Sequence, residues 1–181
     1  MSKPKSAILR ALAALNFALL AAMASFAWLT YDSLPRRIPI HFDMTGRPNR
    51  FAEKGFELFI LYLLPFFLTA LLHVAAWMVS RRPQAINLPN KEKFLALPPE
   101  RREPVYDLLC GFFYAQSASI NILFLSIVIG ITLAAQSASK ALNPVYIFPA
   151  LGLVLLTSLV GTLLIFRSIS KATAEAKKRR P

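Results

Sequence analysis

The chain has a single cysteine, two histidines, and nine acidic residues set against 21 basic ones. Each scarcity excludes something. One thiol, Cys110, forms no intrachain disulfide and builds no cysteine-based metal site, so it reads as a small apolar side chain near a helix end. No serine, cysteine or pair of carboxylates stands in a nucleophile or acid–base arrangement. The residues therefore favour a non-enzymatic reading over an enzymatic one and call for no cofactor. Charge is also missing locally: none occurs from Ala11 to Tyr31, Leu58 to Ser80, Leu108 to Ser139, or Ala141 to Phe166.

What is present fits those gaps. Apolar residues make up 56% of the chain and mean hydropathy is +0.50, yet the net charge is +12. The two coexist because basic and apolar residues are segregated. Each uncharged run supplies the roughly 20 residues that cross a ~30 Å hydrocarbon core. Four such runs in 181 residues leave too little chain for a soluble shell around buried helices. The expected fold is an all-α membrane protein of four transmembrane helices with a short extended loop and turn between the first two. Lys3, Lys5 and Arg10 resemble the basic start of a signal peptide. The run that follows is longer than such a segment needs and has no clean end, so it reads as a retained helix.

In the first helix Ala14, Ala18 and Ala22 repeat every fourth residue, with Ala11, Ala21 and Ser25 near the same side. Small residues at that spacing let helices approach closely, which suits a second copy or another membrane protein. Asn16 needs a partner within the bundle, and Trp28 and Tyr31 mark the far interface. The second helix carries Pro65, expected to bend it, and His73, an intramembrane titratable group. The blander reading of His73 is a neutral ring bonded to Asn or Ser of a neighbouring helix. In the third helix Gln116 with Ser119, and Ser117 with Asn121, are spaced to face the bundle as interhelical glue. Pro144 suits a first turn of the fourth helix, whereas Pro149 is expected to bend it. Thr157 and Gly161 form another small pair.

Residues 1–80 read as one two-helix unit, 81–107 as a cytoplasmic amphipathic loop, and 108–181 as a second two-helix unit with a basic tail. In the amphipathic loop Phe94, Leu95 and Leu97 are expected to insert into the lipid surface, and PPERREPVYDLL to start a helix. Fifteen of the 21 Lys and Arg residues fall on the side that holds both termini. The positive-inside rule puts that side in the cytoplasm and residues 34–54 outside. The KKRR tail suits anionic lipid rather than nucleic acid. The expected setting is the bacterial inner, or cytoplasmic, membrane.

Residues 34–54, LPRRIPIHFDMTGRPNRFAEK, concentrate the unusual residues. Pro35 and Pro39 favour extended backbone before them, and Asp43 to Gly46 suits a tight turn. The expectation is a strand, a turn and a return, anchored by Ile38, Ile40, Phe42 and Phe51. Candidate functional residues are Pro35, Pro39, His41, Phe42, Asp43, Gly46, Arg47, Pro48, Arg50 and Lys54, with His73, Gln116 and Asn121 inside the membrane. His41 and Asp43, joined by Glu53, make a weak metal-ligand set. A pairing of Asp43 with His41 or an arginine, holding the turn, is the stronger reading. Arg36, Arg37, Arg47 and Arg50 suit an anionic peptide, headgroup or wall polymer.

The pattern L-P-x-x-I-P-x-H-F-x-x-x-G-x-P-x-R-F-x-x-K, from Leu34 to Lys54 between two apolar helices, resembles a bacterial membrane domain of uncharacterised function. That domain also forms the N-terminal part of SdpI-like immunity and signalling proteins. The likeness covers roughly residues 10 to 80, and Asn49 departs from it where an aspartate is common. It implies an integral membrane protein with an outer loop of that type, and toxin immunity as one role. The leading expectation is a receptor-like or immunity-like protein that binds a peptide or envelope ligand through the outer loop. The alternatives are a small transporter or transporter subunit, and a metal-dependent membrane enzyme using His41, Asp43 and Glu53. Expected partners are the lipid bilayer, a peptide or membrane protein, and a second copy of the chain.

Overall fold

The computed structural model describes residues 7–82, 84 and 87–178. Lys3, Lys5, Pro83 and the last two arginines of the basic tail lie outside the described residues. The elements in order are α1 (Ala7–Tyr31), β1 (Arg37–Phe42), β2 (Pro48–Glu53), α2 (Phe56–Arg81), α3 (Lys91–Leu95), α4 (Pro99–Gln136), a 3-10 turn (Pro144–Tyr146) and α5 (Phe148–Lys178). Four of the described helices, α1, α2, α4 and α5, are long and apolar enough to cross a bilayer.

The bundle is built around α4. This helix packs against α1, α2 and α5, whereas α1 and α2 touch each other only lightly. Half of the most apolar stretch of α4 is buried inside the protein, against 6% for α5. The polar residues explain that position. In hydrocarbon a polar side chain needs a protein partner, and α4 carries Ser117, Ser119, Asn121 and Thr132 as buried polar residues. Asn121 Nδ2 donates to Asn16 Oδ1 of α1 at 3.0 Å, and Thr69 Oγ1 of α2 donates to Asn121 Oδ1 at 3.1 Å. Asn16 Nδ2 in turn reaches the carbonyl of Tyr114 at 3.0 Å. On another side of α4, Thr157 and Ser158 of α5 both donate to Gln116 Oε1 at 3.1 Å.

In the single chain Ala14, Ala18 and Ala22 are exposed, and the face that α1 turns to the bundle carries Leu9, Asn16, Leu20 and Met23. The amide of Asn16 sets that face, because it alone on α1 requires a partner in the core. The expected helix start at PPERREPVYDLL is met, residues 99–107 forming the first turns of α4. Phe94 and Leu97 do not insert into lipid: they are buried with Leu88, Val105, Leu109, Ile165 and Ile169. This happens because α4, at 38 residues, and α5, at 31, outrun the roughly 20 needed for a crossing. Their protruding ends need a small core of their own, and α3 fills it. Pro149 lies in the first turn of α5, where its missing N–H removes no helix bond, so it opens the helix.

Candidate functional site: the hairpin between α1 and α2

The two strands pair antiparallel, with Arg37 opposite Glu53, Ile38 opposite Ala52, Pro39 opposite Phe51, His41 opposite Arg50 and Phe42 opposite Pro48. Lys54 N donates to Arg36 O at 2.8 Å. The alternation of an antiparallel ladder then turns the backbone of residues 37 and 39 away from the partner strand. Pro39 thus sits where no ladder donor is required. The register shifts on both sides of His41, so the strand bends toward the tip.

Three attachments hold this hairpin over the helix ends. Along its length, Ile38 is fully buried against Leu34, Leu58 and Ala135. At its base, the Lys54 ammonium donates to the carbonyls of Tyr31 and Leu34, both at 3.1 Å, and lies 4.9 Å from the centre of the Tyr31 ring. Tyr31 is the last residue of α1, so Lys54 supplies a donor and a positive charge where helix carbonyls have neither. At the tip, Leu142 N donates to Gly46 O at 2.9 Å. Gly46 has φ of +81°, and a Cβ there would lie 2.2 Å from Leu142 O. Only glycine meets both conditions.

Asp43 closes the turn alone. Its Oδ1 accepts from Thr45 Oγ1 at 2.7 Å, from Thr45 N at 2.8 Å and from Arg47 N at 2.9 Å. The Thr45 hydroxyl bond first, then the Arg47 backbone bond, hold its carboxyl below the ordinary value. The expected pairing with His41 does not occur. His41 Nδ1 instead lies 2.6 Å from Asn49 Oδ1 across the strands. The departure at Asn49 therefore keeps an acceptor oxygen for His41. Glu53 lies at the base of the hairpin, where it pairs with Arg36 at 3.4 Å, far along the strand from Asp43. His41, Asp43 and Glu53 do not form a ligand set, and no group of three metal-capable residues is found among the described residues.

Of the other candidates, Pro35 leads into β1, Phe42 is half-buried at its end, and Pro48 opens β2. Arg50 is exposed but tied to Glu57 of α2 at 3.0 Å. Phe51, expected as an anchor, is 39% exposed. Met44 at the tip is 92% exposed, and Arg37 and Arg47 are exposed without a salt bridge among the described residues. Beneath the tip, a cavity of about 290 Å³ lies between Phe42, Met44, Ile131, Leu142 and Phe148. Sequence reasoning missed Glu57 and Leu142 as partners of the loop. It also missed a cleft of about 790 Å³ between α1 and α2, walled by Trp28, Phe56 and Phe59 with Asp32 at its edge.

Inside the membrane, His73 does not bond to Asn or Ser of a neighbour. Its Nδ1–H donates to the Thr69 carbonyl of its own helix at 2.9 Å, and its ring lies 4.8 Å from Tyr114 and 5.6 Å from Phe17. Its Nε2 is buried and has no partner among the described residues. Gln116 and Asn121 are engaged in the interhelical bonds given above.

Residues 18–65 match the family described as a domain of unknown function, DUF1648. Over 84 residues the chain is 34% identical to an uncharacterised protein of Archaeoglobus fulgidus, a stretch that covers 44% of this chain and 45% of that protein. The chain thus spans under half the length of that relative. No solved structure matches. The matched residues run from the C-terminal half of α1 through the whole hairpin into α2, so the chain is a multi-pass membrane protein with a stretch similar to DUF1648.

Proposed function

We propose that the protein is a non-enzymatic receptor-like or immunity-like protein that binds an extracytoplasmic peptide or envelope ligand on its outer hairpin. The observation that carries this reading is the division of labour within the loop. Ile38, Gly46, Asp43 and Lys54 are all committed to holding it in place, while the side chains of Arg37, Met44 and Arg47 are exposed with no salt bridge among the described residues. A surface fixed in advance loses less entropy on binding than a mobile loop would. The basic side chains suit an anionic or carboxylate-bearing partner. Both termini lie on the cytoplasmic side in this reading, in accord with the excess of Lys and Arg there.

Transport is the weaker reading. The cavities beneath the hairpin tip, between α1 and α2 and between α1 and α5 are not lined by His73, Gln116 or Asn121, and the last two are satisfied by other helices. A metal-dependent reaction finds no support in the separation of Glu53 from Asp43.

The test is purification from native membranes in mild detergent, comparing the wild type with an Arg37→Ala, Met44→Ala, Arg47→Ala triple variant. These side chains make no hydrogen bond or ion pair among the described residues, so folding should be unchanged by circular dichroism. A peptide or envelope component found by mass spectrometry with the wild type and lost from the variant is the expected result. Equal recovery from both, or no ligand with either, would overturn the reading.

A further inference from the structure

A crevice of about 540 Å³ opens between α1 and α5, floored by α4. Its walls are apolar, with Leu12 on one side and Leu156 and Val160 on the other. Thr157 also lines it, but that hydroxyl is committed to Gln116 and to the carbonyl of Val154. The floor is Asp107, Gly111 and Ala115. These are spaced four apart, so they fall on one line along α4. A carboxylate, a bare backbone and a methyl group follow one another over about 12 Å of helix. Gly111 and Ala115 leave the groove open where longer side chains would close it.

Asp107 is the last charged residue before the uncharged run 108–139, so it sits where α4 enters hydrocarbon. Arg10 and Arg167 hold the same place on α1 and α5, each next to its uncharged run, and both are exposed. Asp107 makes no hydrogen bond or ion pair among the described residues. A chain of net charge +12 has thus set a carboxylate with no hydrogen bond or ion pair among the described residues at the head of an apolar crevice. Water is a poor occupant, because the walls offer too few polar partners to hold it. The complementary occupant has a cationic hydrogen-bond donor on a long apolar body. We propose that the crevice holds an acyl chain of a bilayer aminophospholipid, with Asp107 accepting hydrogen bonds from the primary ammonium and Arg167 at the level of its phosphate.

This inference is independent of the outer hairpin and of which leaflet faces the cytoplasm. It is tested on the full chain in mild detergent by native mass spectrometry. Phosphatidylethanolamine, phosphatidylcholine and phosphatidylglycerol with matched chains are added at equal concentration. Wild type should retain the ethanolamine lipid about tenfold better than the choline lipid, as expected for hydrogen bonds to a charged group. Asp107→Asn should bring the two to parity, Asp107→Glu should keep the preference, and Ala115→Phe should lower retention of all three. Equal retention of ethanolamine and choline lipids by the wild type would overturn the proposal. So would a preference that survives Asp107→Asn, or a lipid-free dimer closed over this face. Asp107 lies on the rim, so its variants decide the matter even if Ala115→Phe does not fold.

Discussion

Replacing Gly46 by valine should lift the hairpin tip from the connection between α4 and α5 while leaving the helices intact. The new Cβ would lie 2.2 Å from Leu142 O, and the neighbour is backbone that cannot rotate aside. A non-glycine residue in the left-handed region costs about 1–2 kcal/mol. Losing the bond from Leu142 N to Gly46 O adds a net cost of about 1 kcal/mol. The docked tip is then disfavoured by roughly 2–3 kcal/mol relative to the open one. Hydrogen exchange by mass spectrometry on protein in lipid nanodiscs reads this directly. The Leu142 amide should exchange about 30- to 150-fold faster, with the transmembrane amides unchanged. Gly152→Ala is the control, since nothing lies within 4 Å of a Cβ at that position and alanine favours the helix. Unchanged exchange at Leu142 in Gly46→Val would refute the claim that this glycine docks the tip.

Three further outcomes follow from other contacts. Lys54→Met removes the donor shared by the Tyr31 and Leu34 carbonyls and should destabilise the outer end of α1 by roughly 1–3 kcal/mol; thermal unfolding followed by Trp28 and Trp77 fluorescence that matches wild type would contradict the capping role. The Asp43 carboxyl titrates below its ordinary value of 3.8, so its hold on the turn is complete above that pH and is lost as pH falls through the lower folded value. Exchange protection of the Thr45 and Arg47 amides should accordingly stay level down to about pH 4 and decline below it, and protection that persists unchanged to pH 2 would count against the turn's dependence on the carboxylate. Asn121→Leu strips partners from Asn16 and Thr69 and should cost about 1 kcal/mol. Reversible unfolding in mixed micelles would show it as a lower midpoint, and an unchanged midpoint would mean the network contributes nothing net.

The spans and the strand–turn–strand loop were legible because uncharged length and turn residues are local signals. Helix faces were not. In water an apolar stripe points to the core, but a membrane helix is apolar toward lipid and protein alike. The four-residue repeat of Ala14, Ala18 and Ala22 is exposed in the single chain and is not the face that α1 turns to the bundle. The buried face is marked by Asn16, whose amide had to meet Asn121 and the Tyr114 carbonyl. The same logic recovers α4 as the centre, since it has the most polar interior of the four. Phe94 and Leu97 misled for a different reason. An amphipathic segment buries its apolar side against lipid or against protein equally well, and only the overlength of α4 and α5 decides between them. His41 next to Asp43 suggested a pair, but three donors from Thr45 and Arg47 already satisfy the carboxylate.

The loop pattern itself divides in an informative way. Ile38, Gly46 and Lys54 are named positions of the pattern, and the structure uses each to fasten the hairpin to a different part of the bundle. Pro39 fits a backbone position that needs no donor, and Arg50 is drawn to Glu57. The open positions of the pattern include Arg37, Met44 and Arg47, and those are exposed side chains with no salt bridge among the described residues. A match to this pattern therefore carries a seat for the loop more securely than it carries what the loop recognises. Two proteins that share the pattern need share no ligand, and ligand choice should follow residues 37, 44 and 47 while the hairpin stays where Gly46 and Lys54 hold it.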